Sequence, residues 1–151
     1  MPPTEATDTV DACNSLALRK AARYLSAAYD KALAPTGLRT TQFSILRHLS
    51  GREAITITAL ADMIAMDRTT LATNLKPLAR ENLVTVETSS TDRRARVVSI
   101  TPDGQSRMEA ALPYWCTVQA QFEENFGVDR AARLRATLED VLEAGFDPWA
   151  E

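Results

Sequence analysis

Between Thr58 and Thr101 two short amphipathic segments are followed, without a linker, by two β-rich runs that flank a seven-residue polar loop, and few folds accommodate that order. The first segment turns Leu60, Ala61 and Ile64 to one side, with Thr58 as its expected cap. The second is predicted to start at Asp67, a residue that caps well, and it repeats Leu71, Leu75 and Leu78 at helical spacing. Leu83 to Thr88 and Arg96 to Thr101 are alternating or β-rich, and the loop between them reads SSTDRRA.

More helix is expected on both sides. From Asp11 to Leu33 the residues Leu18, Ala22, Leu25, Tyr29 and Leu33 recur at spacings of three and four, and Pro35 and Gly37 end the run. Thr40 is the expected cap of a second helix through Phe43, Leu46 and Leu49, closed by Ser50-Gly51, and Ala54 to Thr58 reads as a small strand. Thr101-Pro102-Asp103 combines a cap hydroxyl, a first-turn proline and an acid at the positive helix end. That helix should reach about Phe126 with a kink at Pro113, and a last one should turn Ala131, Leu134, Leu138 and Val141 to one face before Gly145, more apolar surface than a small lobe can bury. Residues 1–10 are polar and read as a frayed arm.

The expected fold is therefore mainly α with a small β-hairpin wing, in one domain over 1–151. A winged helix-turn-helix lobe at 38–101 is joined to a helical dimerisation region at 11–35 and 102–146. In such a lobe the helix before the hairpin enters the major groove of DNA and the hairpin loop reaches the flanking backbone or minor groove. The segment DRTTLATNLKPLAREN suits that task, since burying its leucines leaves Arg68, Thr69, Thr70, Thr73, Asn74 and Lys76 around the rest of the helix. Short hydroxyls and an amide meet base edges, with Asn74 the leading candidate, while Arg68 and Lys76 set position on phosphate. Arg93, Arg94 and Arg96 supply the wing, where adjacent arginines suit a narrow minor groove.

Charge is distributed accordingly. The chain carries a net charge of -3, yet residues 66–100 hold six bases against four acids and residues 101–151 hold four against ten. A locally basic middle and an acidic tail fit one part facing phosphate and another facing solvent or a partner. Enzyme chemistry is not expected, because no motif sets a nucleophile beside a base and five glycines build no phosphate-cradling loop. One histidine and two cysteines, Cys13 and Cys116, offer neither a metal site nor a disulfide framework, so no cofactor is expected. No apolar run is long enough for a membrane span and no secretory leader is evident, which makes the cytoplasm the expected compartment.

The chain resembles the MarR family of transcription regulators. DRTTLATNLKPLARENLV (67–84) is similar to that family's recognition helix, STDRRARVVSITPDG (90–104) to its wing and the helix after it, and GLRTTQFSILRHL (37–49) to its second helix. The resemblance covers about Cys13 to Leu142. It implies a homodimer closed by the first and last helices, binding an inverted-repeat operator in double-stranded DNA, and in many members a repressor released by a small aromatic or phenolic effector, acids and thioesters included. By position Asp92 would brace a wing arginine. Ser89 and Thr91 depart from the aspartate and arginine common at the start of the wing, and Thr73 from an arginine common in the recognition helix.

Arg19, Arg23, Tyr29, Phe43, His48, Met108 and Trp115, with Tyr24 and Tyr114, supply the aromatic, cationic and soft side chains of an effector cavity between the first, second and fifth helices, although packing against a core or partner accounts for the same residue types. Two rival readings stand beside the repressor. One is an oxidant sensor using Cys13 near a helix start, as in peroxide-sensing members, although Cys13 is two positions off their register and Phe43 stands where an aromatic hydroxyl is wanted. The other is a non-catalytic protein adaptor built on the lobe, which an apolar rather than polar face at Thr69, Thr73, Asn74 and Arg93 would favour.

Overall fold

The computed structural model describes residues 12–146 and Pro148, so the expected arm at 1–10 and the helix start at Asp11 lie outside the described residues. The elements in order are α1 (Asn14–Leu33), a 3-10 turn (Ala34–Thr36), α2 (Thr40–Leu49), β1 (Ile55–Thr56), α3 (Ile57–Met63), α4 (Arg68–Arg80), β2 (Val84–Thr88), β3 (Arg96–Ile100), α5 (Pro102–Phe126) and α6 (Val128–Leu142). The strands form an antiparallel sheet in the order β1-β3-β2, with Ile55 opposite Val98 and Val86 opposite Val98 from the other side. This is the mainly helical architecture with a small sheet that the sequence predicts.

A core of Leu46, Leu49, Leu60, Leu71, Leu78 and Val98 fastens α2, α3, α4 and the sheet into one lobe, each of these side chains at most 1% exposed. Asp67 caps α4 by accepting the Thr70 amide at 2.9 Å, and Leu71, Leu75 and Leu78 are all buried. Two expected caps move. Thr56, not Thr58, accepts the Ala59 amide at 3.1 Å, because β1 is only Ile55–Thr56 and α3 begins as soon as Thr56 has paired with Val97. Arg39 occupies the cap of α2, its amide donating to Gln42 Oε1 at 2.9 Å, while the Thr40 amide is taken by Asp30 Oδ1 at 2.7 Å.

Helix α5 runs unbroken through Pro113, and α6 ends at Leu142, short of Gly145. The start of α5 is bolted to the end of α4. Thr101 caps it by accepting the Gly104 amide at 3.0 Å, while the same hydroxyl donates to Asn82 O at 2.6 Å and the Thr101 amide donates to Leu83 O at 3.1 Å. Asn82, in the left-handed conformation that asparagine tolerates, donates through Nδ2 to Asp103 Oδ2 at 3.0 Å. Arg107 adds a clasp, its Nη1 donating to Thr36 O at 3.2 Å and lying 3.4 Å from Glu81 Oε2. The end of α4, the turn after α1 and α5 therefore meet at one seam.

Outside the lobe, burial falls away. Of the expected α1 face only Leu33 is buried, and of the expected α6 face only Ala131. Tyr24 is 78% exposed, Val141 46% and Leu142 60%. A polar chain links the three outer helices: Tyr29 of α1 donates to Gln119 Oε1, Gln119 Nε2 donates to Glu123 Oε1 at 2.8 Å, and Arg135 of α6 pairs with the same oxygen at 2.9 Å. Burial, then the Glu123 charge, raises the Tyr29 pKa above the ordinary tyrosine value, and Arg135 partly offsets this. The unfolded chain then ionises this phenol first, so stability should fall as pH rises through about 10. Urea midpoints measured from pH 8 upward should show that decline in the wild type and a shallower one in Tyr29→Phe; equal slopes would remove Tyr29 from the linkage.

Candidate nucleic-acid interface

The outer face of α4 carries the residues the sequence singles out. Arg68, Thr69, Thr70, Thr73 and Lys76 are exposed and Asn74 is half-buried. Local bonds restrict some of them. The Thr70 hydroxyl donates to Asp67 Oδ2 at 2.6 Å and the Thr73 hydroxyl to Thr69 O at 3.0 Å, so both keep lone pairs for an incoming donor but have spent their protons. Asn74 Nδ2 donates to Thr70 O at 2.9 Å and lies 4.0 Å from Met66 Sδ. A two-bond grip on an adenine edge uses the amide oxygen and one amide hydrogen, which leaves the second hydrogen for Thr70 O. The two hydrogen bonds from Thr70 also hold the Asp67 carboxyl below the ordinary aspartate range, which keeps the cap charged.

The wing loop is a braced turn. Ser89 N donates to Ala95 O at 2.8 Å, and Ala95 N to Asp92 O at 3.0 Å. Asp92 Oδ1 accepts the Arg94 backbone amide at 2.9 Å, so it braces an arginine through the main chain rather than through a guanidinium. Among the described residues the ion pairs are Arg107–Glu81 and Arg135–Glu123, so the guanidinium groups of Arg68, Arg93, Arg94 and Arg96 are not neutralised. Arg96 is steadied by Nη2 donating to Val86 O at 3.3 Å. Together α4 and the wing form one polar, cationic face.

A cleft of about 530 Å³ separates α4 from the wing, lined by Thr56, Ile57, Thr58, Arg68, Thr69, Ala72, Arg94, Ala95 and Arg96. Lys76 sits apart from it, with Arg96, over an apolar floor that includes Ile57, Leu75 and Val86. Nothing in the sequence recommends Thr58 for this site, since a threonine at a helix start reads as a cap until Thr56 is seen to fill that role.

A second concavity, of about 350 Å³, lies between α2 and α5 and is lined by Thr40, Phe43, Ser44, Arg47, His48, Leu112 and Trp115. The structure thus brings together Phe43, His48 and Trp115 of the expected effector set. Phe43 and Trp115 stack with centroids 6.1 Å apart at 22°, and His48 Nδ1 donates to Ser44 O at 2.7 Å. Met108 is buried in the core and Tyr29 is engaged by Gln119, neither lining this space, and Arg19 and Arg23 stand exposed on α1. Arg47 was not anticipated as a lining residue, yet it lies one helical turn beyond Phe43, so the spacing 40, 43, 44, 47 was there to be read.

Cys13 is exposed at the cap of α1, where its Sγ accepts the Leu16 amide at 3.4 Å, and Cys116 is also exposed. Among the described residues no cluster of His, Cys, Asp or Glu is placed to hold a metal, and no helix is long and apolar enough to cross a membrane.

Comparison with known proteins converges on one group. The family model described as MarR family matches residues 38–95. The transcriptional regulator HosA of Escherichia coli O157:H7 is 28% identical over 85 residues, a match that takes in 56% of this chain and only 63% of HosA. The crystal structure of the Mycobacterium tuberculosis transcriptional regulator MosR in complex with DNA superposes with a TM-score of 0.77 at 38% identity, covering 87% of this chain and 97% of that one. The transcriptional repressor CouR bound to a 23-mer DNA duplex shares the fold, with a TM-score of 0.77 at 22% identity over 88% of this chain and 94% of CouR.

Proposed function

The chain belongs to the MarR family of transcription regulators, and from that premise we propose that it is a homodimeric repressor that binds an inverted-repeat operator and is released by a small aromatic acid or its thioester. The observation that carries the DNA-binding part is the face made by α4 and the wing, where arginines unpaired among the described residues flank exposed threonines. A partner protein docking there would need an apolar patch, and Thr69, Thr73, Arg93 and Arg94 offer hydroxyls and charge instead. In this reading Thr69, Thr70, Thr73 and Asn74 face base edges, Arg68, Lys76 and Arg96 face the backbone, and the wing tip approaches the minor groove. The MosR and CouR complexes with DNA support it.

The homodimer is supported by exposed apolar side chains at the two ends of the chain: Leu16, Leu18 and Tyr24 on α1, and Leu138, Val141 and Leu142 on α6. One lobe is left with nothing to cover them, and a symmetric copy covers both at once. The effector is assigned to the concavity between α2 and α5, where the Trp115 and Phe43 rings offer an aromatic wall and Arg47 a partner for an acid.

Fluorescence anisotropy of the purified protein on DNA flanking its own gene, at two salt concentrations and beside a scrambled duplex, tests the reading. Binding tighter to the flanking DNA, weakened by an aromatic carboxylate, is the expected result, and Asn74→Ala should narrow the gap between the two duplexes. Equal binding to both duplexes would overturn the operator claim.

A further inference from the structure

The geometry points to a seat for a single DNA backbone phosphate in the cleft between α4 and the wing, with the Thr58 hydroxyl as one of its donors. This rests on the DNA-binding reading above and adds to it where one strand must run. A helix in the major groove and a loop in the neighbouring minor groove straddle the sugar-phosphate strand that separates the two grooves, so that strand has to pass between them. The space between them here is the cleft of about 530 Å³.

Its walls suit a phosphate. Arg68 enters from the start of α4, Arg94 and Arg96 from the return side of the wing, and no carboxylate lines the space. None of the three is held in an ion pair among the described residues, and Asp67, the acid beside Arg68, is turned to Thr70 by both of its oxygens. Arg96 is already oriented by its bond to Val86 O, so less freedom is lost when an anion arrives. Thr58 completes the set. Thr56 does the capping of α3, which leaves the exposed Thr58 hydroxyl without a hydrogen-bond partner among the described residues, at the wall opposite the wing.

The assignment divides the wing. Arg94 and Arg96 line the cleft and hold the backbone, whereas Arg93 lies outside it in the loop and is the arginine left to enter the minor groove. Affinity for any duplex then rests on Thr58, Arg68, Arg94 and Arg96 in the cleft beside Lys76 outside it, and preference for a narrow groove on Arg93.

Phosphate contacts ignore sequence, so a mixed-sequence fluorescent duplex is a sufficient probe for the full-length protein, titrated over a salt series. Arg94→Ala should lower the slope of log K against log salt by about 0.9 for each lobe on the duplex, about 1.8 for the dimer. Thr58→Val should weaken binding on the order of tenfold with little change in slope, because a neutral donor to a charged acceptor is lost without a counterion effect. Thr58→Ser, which keeps the hydroxyl, should bind like the wild type, separating loss of the donor from damage to α3. In the double variant the two losses should fall well short of their product, since both act on one phosphate. Wild-type binding by Thr58→Val, or losses that multiply, would overturn the shared seat while leaving the regulator reading intact. Failure of the unsubstituted protein to bind any duplex would overturn both.

Discussion

Gly104→Ala is expected to cost roughly 3 kcal/mol, the upper end of what an added core methyl usually costs, and so a large share of the stability of a domain this size. A Cβ built at position 104 lies 2.0 Å from Leu83 O and 2.9 Å from Ile100 Cγ1. The first of these neighbours is backbone and cannot rotate away. It is also the acceptor of the Thr101 amide, so relief by moving Leu83 would pull apart the bond that joins β2 to the start of α5. Gly51→Ala is the control: the site is left-handed but nothing lies within 4 Å, so only the backbone preference of about 1 kcal/mol is at stake. Urea titrations of the two variants should separate clearly. Equal midpoints would mean that α5 can slide on the lobe without cost, and the seam described above would lose its meaning.

Leu138→Glu is expected to halve the mass seen by sedimentation and, with it, to reduce operator affinity by on the order of 10²-fold or more, because two linked lobes bind far better than one. The side chain is 37% exposed in the single chain, on the same helix as the more exposed Val141 and Leu142. A charge there harms nothing in the lobe, and circular dichroism should be unchanged. Burying that charge against a copy of itself is costly, which is what splits the pair. A dimer of undiminished mass would place the interface elsewhere.

What the sequence makes legible follows how local each signal is. Asp67 reads correctly as a cap because its partner, Thr70, is three residues away, and Leu71, Leu75 and Leu78 read correctly because helical spacing is a property of the segment itself. Thr58 and Thr40 are misread for the opposite reason. The competing caps are settled by β1 pairing with β3, some forty residues on, and by Asp30 reaching the Thr40 amide from α1. Outer helices fall on the legible side: apolar faces at opposite ends of the chain are more than one small lobe can bury, and the structure leaves α1 and α6 largely uncovered. At the site, residue type alone recommends Asn74 for base reading, while the hold of Thr70 and the neighbourhood of Met66 emerge only once the helix is folded. Chemistry alone groups Arg19 and Arg23 with the aromatics, whereas geometry gives the concavity Arg47.

The bolted junction between α4 and α5 turns the lobe and the long helix into a lever. Helix α5 has 25 residues, close to 37 Å of stiff rod. Trp115, halfway along it, forms one wall of the concavity assigned to the effector, and Phe43 of α2 forms the other. A ligand that wedged those rings apart would load the α4–α5 junction, which Thr101, Asn82, Asp103 and Arg107 tie with hydrogen bonds. A tilt of about 5° over such a rod would carry its far end by roughly 3 Å. In the homodimer proposed above, a change of that size in how the two long helices sit would shift the recognition helices by most of a base-pair step, so a ligand that never touches DNA would put them out of phase with one turn of the double helix.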